Sequence, residues 1–189
     1  MSESDLEEYL SKLWAMLTWG NKRYYIDKLI ADNGLDALRR GLAELLYSDA
    51  PLPKRWDDFR GEIKGIGPAM ASELLAHVHP SDCMVWNRKA KLALERLGET
   101  DLPQYLYQCT GKAYEGLCAR SRRVASVMKE AGFDDVDMLF VDYFLALPGL
   151  VWQPNYNPEG SKDSPPLWKS IAILNRALFL KPQARAFIF

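Results

Sequence analysis

Apolar residues recur every three or four positions through most of the first 147 residues, and no segment alternates between apolar and polar residues as a half-buried strand would. This spacing places the apolar side chains on one face of successive helices. It predicts an all-α, multi-helix domain over residues 1–147. The predicted helices are residues 5–18, 22–33, 35–47, 55–63, 69–77, 88–97, 111–131 and 136–147.

Polar residues just before these segments predict where several helices begin. Ser4 and Glu7 have the spacing of a capping box for the first helix. Asn87 precedes the sixth helix, and asparagine is among the best N-caps. Asp134 or Asp135 is expected to cap the last helix of the domain, which is almost entirely apolar and should be buried.

The C-terminal part of the chain differs in composition from the rest. Residues 148–166 are rich in Pro, Gly, Asn and Ser, which predicts a loop or linker. Residues 167–189 are expected to form a final helix, up to about Lys181, and a tail that ends in Ala-Phe-Ile-Phe. Such an apolar ending predicts packing on the domain or on a protein subunit.

The overall charge argues against a protein that coats nucleic acid, because 24 Lys and Arg face 25 Asp and Glu, for a net charge of −1. Any contact with nucleic acid must then be local, and Arg88-Lys89 is one basic cluster. We expect a cytoplasmic protein without a membrane segment, since no secretory signal or long apolar run is found. The spacing of its three cysteines predicts no disulfide, zinc or iron–sulfur site.

The most informative segment is residues 63–71, with the sequence Ile-Lys-Gly-Ile-Gly-Pro-Ala-Met-Ala. We expect Gly65 and Gly67 to adopt backbone angles that other residues avoid, which turns successive N–H groups outward. Pro68 suits the first position of the next helix, whose positive dipole end adds further free N–H groups. The segment therefore predicts a main-chain site for phosphate.

This segment resembles the helix-hairpin-helix family of DNA-binding motifs, here over about residues 55–77. The resemblance rests on an apolar residue two before the first glycine, on Ile66 between the glycines, on Pro68 and on Ala71. It implies main-chain phosphate donors in the hairpin, and members often hold a monovalent cation, K⁺ or Na⁺, on hairpin carbonyls. The implied cation ligands are Gly61, Ile63 and Ile66. The predicted DNA-binding residues are Lys64, Gly65, Ile66, Gly67, Ala69, Met70, Arg88 and Lys89.

A longer stretch, Ile63 to Gly98, resembles the core of the helix-hairpin-helix DNA glycosylases. In that family the hairpin is followed by a catalytic Asp, which aligns with Asn87 here, and bifunctional members carry a nucleophilic Lys, which aligns with Ala69. An amide cannot stabilise developing positive charge as a carboxylate does. The resemblance therefore implies a non-catalytic relative. The alternative is a divergent glycosylase or lyase with relocated groups, drawn from Lys64, Lys89, Asp135, Asp137 and Asp142.

Trp86 and Asn87 lie where the glycosylase relatives place the pocket for an extruded base. An indole can stack on a base, and a carboxamide can pair with a base edge, so this pair could inspect a modified or extruded base. The competing interpretation is structural. Trp86 would then belong to the core and Asn87 would only cap its helix.

A weaker resemblance covers residues 46–144 and is to DNA-recognition domains of McrB-type, modification-dependent restriction proteins. It rests on Ile-Lys-Gly-Ile-Gly-Pro-Ala, Val-Trp-Asn and Val-Asp-Tyr-Phe. The chain has no phosphate-binding loop of the Gly-x-x-x-x-Gly-Lys-Ser/Thr type, so no motor is predicted. The sequence favours a protein that binds duplex DNA, with an interaction subunit of a restriction or defence complex as a further alternative.

Overall fold

The computed structural model describes residues 2–17 and 19–147, and this part of the chain is entirely helical, without a strand. The predicted all-α class is confirmed. Two short 3₁₀ helices, Trp14–Met16 and Leu106–Gln108, separate α-helices. The predicted linker at 148–166 and the C-terminal segment 167–189 lie outside the described residues. The α-helices are α1 (Glu3–Ser11), α2 (Lys22–Asn33), α3 (Leu35–Tyr47), α4 (Leu52–Glu62), α5 (Pro68–Val78), α6 (Arg88–Arg96), α7 (Gly111–Glu130) and α8 (Met138–Leu145).

The first helix is shorter than predicted and begins with a different cap. The capping box is formed by Ser2 and Asp5, not by Ser4 and Glu7: the Asp5 amide donates to Ser2 Oγ at 3.2 Å and the Ser2 amide donates to Asp5 Oδ2 at 2.6 Å. The helix ends at Ser11 instead of near residue 18, and the first 3₁₀ helix follows. A carboxylate from α5 holds that 3₁₀ helix, so a tertiary contact overrides the helical periodicity.

Helix α4 starts earlier than predicted because two prolines suit its first turn. It begins at Leu52, with Pro51 as the N-cap residue and Pro53 in the first turn, where missing N–H groups cost nothing. The start of α7 packs directly on this turn. A Cβ added to Gly111 would lie 2.0 Å from Pro53 O, so only glycine permits the approach.

Helix α8 is capped by Asp137, not by Asp134 or Asp135. The Phe140 amide donates to Asp137 Oδ1 at 2.7 Å, and α8 begins at Met138. Asp135 instead lies in the turn before the helix, in a left-handed conformation with φ of 55°. The helix was expected to be buried, but it buries only one face, which includes Val141, while Tyr143 is exposed.

A single cluster of buried side chains joins α1 to α8. At its centre the rings of Trp56 and Tyr114 stack with centroids 4.0 Å apart, and both polar atoms are satisfied: Trp56 Nε1 donates to Cys109 O and the Tyr114 hydroxyl to Met84 O. The three cysteines are free and buried. Within residues 2–17 and 19–147, no group of acidic, His or Cys side chains is arranged to hold a metal ion, and no helix is both long and apolar enough to cross a membrane.

Candidate nucleic-acid interface

A tight hairpin connects α4 to α5 through residues 63–67. Ile63 and Ile66 are buried and anchor the turn to the core, whereas Lys64 and Gly65 are exposed. The alternation of buried and exposed residues fixes the turn against the domain.

The two glycines of the hairpin have different backbone requirements. Gly65 has φ of +90°, a left-handed conformation that side-chain-bearing residues rarely adopt. Gly67 has φ of −79° and ψ of 173°, which any residue can adopt, so the prediction that it too needs glycine for its backbone angles is wrong. A Cβ added to Gly67 would meet no atom within 4 Å, so this position borders open space.

Several main-chain N–H groups at the hairpin have no partner within the described part of the chain. They belong to Gly65, Gly67, Ala69 and Met70. The last two lie in the first turn of α5, where N–H groups cannot bond within the helix. No acidic residue lies in that turn, so no side chain of the helix itself competes for these donors. The positive end of the helix dipole is therefore available to an anion.

Helix α2 supports the hairpin from behind, which the sequence pattern did not predict. The Asn33 carboxamide pairs with the main chain of Lys64, donating to its carbonyl at 3.0 Å and accepting from its amide at 2.8 Å. About two turns before Asn33 on the same helix, the Tyr25 hydroxyl donates to Gly65 O at 2.9 Å. Leu29 lies beside the α-carbon of Gly65. These contacts hold the turn in a fixed shape before any ligand arrives.

The carbonyl groups implied as cation ligands do not fit a bound K⁺ or Na⁺. Arg60 Nη1 donates to Ile66 O at 2.9 Å, so one of the three proposed ligands already has a cationic partner. Burial lowers the pKa of Arg60 below its ordinary value of 12.5, yet an arginine keeps its charge in proteins. A guanidinium at this carbonyl would repel a second cation. The cation expected at Gly61, Ile63 and Ile66 stays a prediction, and it would have to share the Ile66 carbonyl with this guanidinium.

Helix α6 begins beside the first turn of α5. Ser72 Oγ accepts from the Trp86 amide at 2.8 Å and donates to Ala69 O at 3.0 Å, which joins the two helix starts. Arg88 and Lys89, in the first turn of α6, are exposed. The two predicted basic residues thus lie near the hairpin, on the neighbouring helix terminus.

Comparisons with protein-family models, with curated proteins and with solved structures found no match to this chain.

The proposed base pocket is not open in this structure. Trp86 is fully buried, so a base cannot stack on this indole in the conformation described, and its Nε1 has no hydrogen-bond partner among residues 2–17 and 19–147. Asn87 forms the predicted N-cap, because Asn87 Oδ1 accepts from the Ala90 amide at 2.9 Å. The geometry agrees with the cap-and-core interpretation of this pair.

A carboxylate from α8 does approach Asn87. The Asn87 side chain and Lys89 lie close enough to Asp142 to favour its ionised form, which lowers its pKa. Burial and the nearby Glu73 carboxylate outweigh both effects and raise the pKa of Asp142 to about 6. One of the acids considered for a relocated active site thus lies beside Asn87. Only the fold could show this, since 55 residues separate the two positions.

Proposed function

We propose that the chain binds DNA by holding a backbone phosphate on the hairpin between α4 and α5. The observation that carries the proposal is the set of unpartnered N–H groups at Gly65, Gly67, Ala69 and Met70, at the start of a helix and beside open space. Such groups bind phosphate oxygens through charge-assisted hydrogen bonds and recognise no particular base.

The charges around the hairpin support the proposal. Lys64 is exposed and forms no ion pair within residues 2–17 and 19–147, so its ammonium is available to a second phosphate oxygen. Arg88 and Lys89 extend the positive surface onto α6, whose first turn also lacks an acidic residue. A protein with a net charge of −1 can bind DNA in this way because the favourable field is local.

The decisive experiment replaces Gly67 by valine and measures binding to a labelled DNA duplex by fluorescence anisotropy. The backbone angles and the open space at this position permit the side chain, so the fold should survive, but the methyl groups would stand where a phosphate must approach. We expect at least about a tenfold weaker affinity, which is about 1.4 kcal/mol. Binding by the parent should also fall steeply as salt is raised.

Gly61→Ala is the matched control. Gly61 is an exposed glycine of α4, and an added Cβ there also meets nothing within 4 Å. This variant should bind like the parent. If Gly67→Val folds and binds duplex DNA as tightly as Gly61→Ala, the main-chain phosphate site is refuted.

Base excision is a second candidate, favoured by the contact between Asp142 and Asn87. A carboxylate with a raised pKa can act as a general acid or base near neutral pH. The non-catalytic proposal expects no abasic product from duplexes that contain uracil, 8-oxoguanine or alkylated bases. Excision that is lost in Asp142→Asn, or a borohydride-trapped protein–DNA adduct, would establish the enzyme instead.

A further inference from the structure

The segment between α1 and α2 exposes two tryptophans. Trp14 is 70% exposed and Trp19 is 48% exposed, although tryptophan is usually highly buried. The helical pattern of the sequence predicts Trp14 within the first helix, residues 5–18, and places Trp19 just beyond it. In the structure Trp14 begins a 3₁₀ helix and Trp19 follows that helix, and both indoles are exposed.

Trp19 lies next to the hairpin. Its ring packs against that of Tyr25, with centroids 4.7 Å apart and an interplanar angle of 51°, and the Tyr25 hydroxyl donates to Gly65 O. A single phenol ring therefore separates the exposed indole from the hairpin main chain. A ligand seated on the hairpin N–H groups would have Trp19 within reach.

Trp14 is held in place by α5. The Trp14 and Ala15 amides donate to the two carboxylate oxygens of Glu73, at 2.5 and 3.0 Å, and Glu73 is itself buried. Leu13 and Met16 on either side are also buried. The exposure of the Trp14 indole is thus built into an anchored segment. It is not the result of a loose loop.

We propose that Trp14 and Trp19 form a stacking platform for unpaired bases of the strand whose phosphate the hairpin holds. The proposal rests on the proposed function and names its ligand class: single-stranded DNA, or duplex DNA with an unpaired nucleotide. Aromatic side chains beside a positively charged phosphate site bind single strands in this way, with little sequence preference, because every base has a π face.

The charge pattern favours a nucleotide over an apolar protein surface as the occupant. The hairpin whose N–H groups lack partners among the described residues is joined to Trp19 through Tyr25, and an apolar partner seated there would desolvate these groups without pairing them. A nucleotide offers an anion for these donors and a flat ring for the indole. A nucleotide can therefore bind to the hairpin N–H groups and to the exposed indole at the same time.

The test compares a short oligo(dT) with an oligonucleotide of the same length made of abasic sites, which keeps the phosphates and removes the bases. The parent should bind oligo(dT) about 5- to 150-fold more tightly than the abasic strand. Trp14→Ala and Trp19→Ala should each reduce this preference, and the double variant should abolish it while still binding the abasic strand. Trp19→Phe, which keeps a ring against Tyr25, should retain part of it.

Tyr47→Ala is the matched control. Tyr47 is 70% exposed but follows Leu46, whose carbonyl lies 2.6 Å from His79 Nε2 at the opposite end of α5 from the hairpin. This variant should keep the full preference. The stacking platform is overturned if the parent binds both strands equally, or if the double tryptophan variant keeps the parent's preference.

The Gly67→Val variant separates this proposal from the proposed function. It should weaken binding to oligo(dT) and to the abasic strand alike, because both carry phosphates. If Gly67→Val weakens binding but the tryptophan variants behave like the parent, the hairpin site stands and the platform is wrong. A parent that binds neither strand nor duplex refutes both. Binding of a protein partner that the tryptophan variants lose, without any base preference in the parent, would likewise refute the platform.

Discussion

Asp142→Asn should stabilise the protein at neutral pH and remove part of its pH dependence. In the folded protein, burial and the Glu73 carboxylate raise the pKa of Asp142 to about 6 from an ordinary value of 3.8. Between these values the folded state binds more protons than the unfolded state. The free energy of unfolding must therefore fall as the pH rises through this window, and then level off above it.

The size of the effect follows from the same two values. One pKa unit corresponds to about 1.4 kcal/mol, so the difference is worth at most about 3 kcal/mol. Asp142 keeps some contact with solvent, which screens the effect and leaves an expected gain of about 2 kcal/mol for Asp142→Asn. The amide of the variant has nearly the size and shape of the carboxylate, so the packing between α6 and α8 should survive.

Urea unfolding of the parent and of Asp142→Asn, followed by circular dichroism, provides the assay. The two proteins should have nearly equal stability at about pH 4, and the variant should become more stable as the pH is raised to about 7. Asp137→Asn is not a suitable control, because Asp137 caps α8. Parallel pH profiles for the parent and Asp142→Asn would refute the proposed environment of this carboxylate.

Three further changes test how the site is built. Gly65→Ala should destabilise the fold by about 1–2 kcal/mol in urea unfolding because of its positive φ, whereas an unchanged midpoint would show that the turn adapts. Glu73→Ala should lower the free energy of unfolding by about 3 kcal/mol, since it removes the charged acceptor of two amides. Glu73→Gln should lower it less, and equal losses in the two variants would contradict this role of the carboxylate. DNA affinity should be the same in KCl and choline chloride at equal ionic strength, and Arg60→Met, which frees the Ile66 carbonyl, should make it cation-dependent. If DNA binding by the parent requires K⁺, the Arg60 guanidinium does not take the place of a bound cation.

Local sequence signals predicted the helices that begin and end with local chemistry. Helices α2 and α3 have the predicted bounds, and the predicted cap Asn87 precedes α6. Each of these boundaries depends on residues within one turn of the helix end, such as Gly34 with its positive φ. Such signals are present in the order of the residues alone.

Some failures were local, since the first and last helices are capped by Ser2 and Asp137 instead of nearby residues, but others depend on contacts between distant parts of the chain. The end of α1 is set by Glu73, about sixty residues away, and the hairpin is shaped by Asn33 and Tyr25 of α2. The burial of Trp86 likewise follows from packing. The spacing of apolar residues cannot predict these long-range contacts. It indicates which face of a helix is buried but not which other element covers that face.

The hydrogen bonds of the hairpin show an asymmetry that a simple connector would not need. Its carbonyl groups bond within the protein, Lys64 O to Asn33, Gly65 O to Tyr25 and Ile66 O to Arg60, and all three donors are side chains. The N–H groups of Gly65 and of the first turn of α5 have no partner in the part of the chain that the structure describes. A turn with acceptors secured inside and donors directed at open space is organised in advance for an anion, since binding then requires no rearrangement of the main chain. For this reason the valine side chain of Gly67→Val should weaken DNA binding far more than it lowers the stability of the fold.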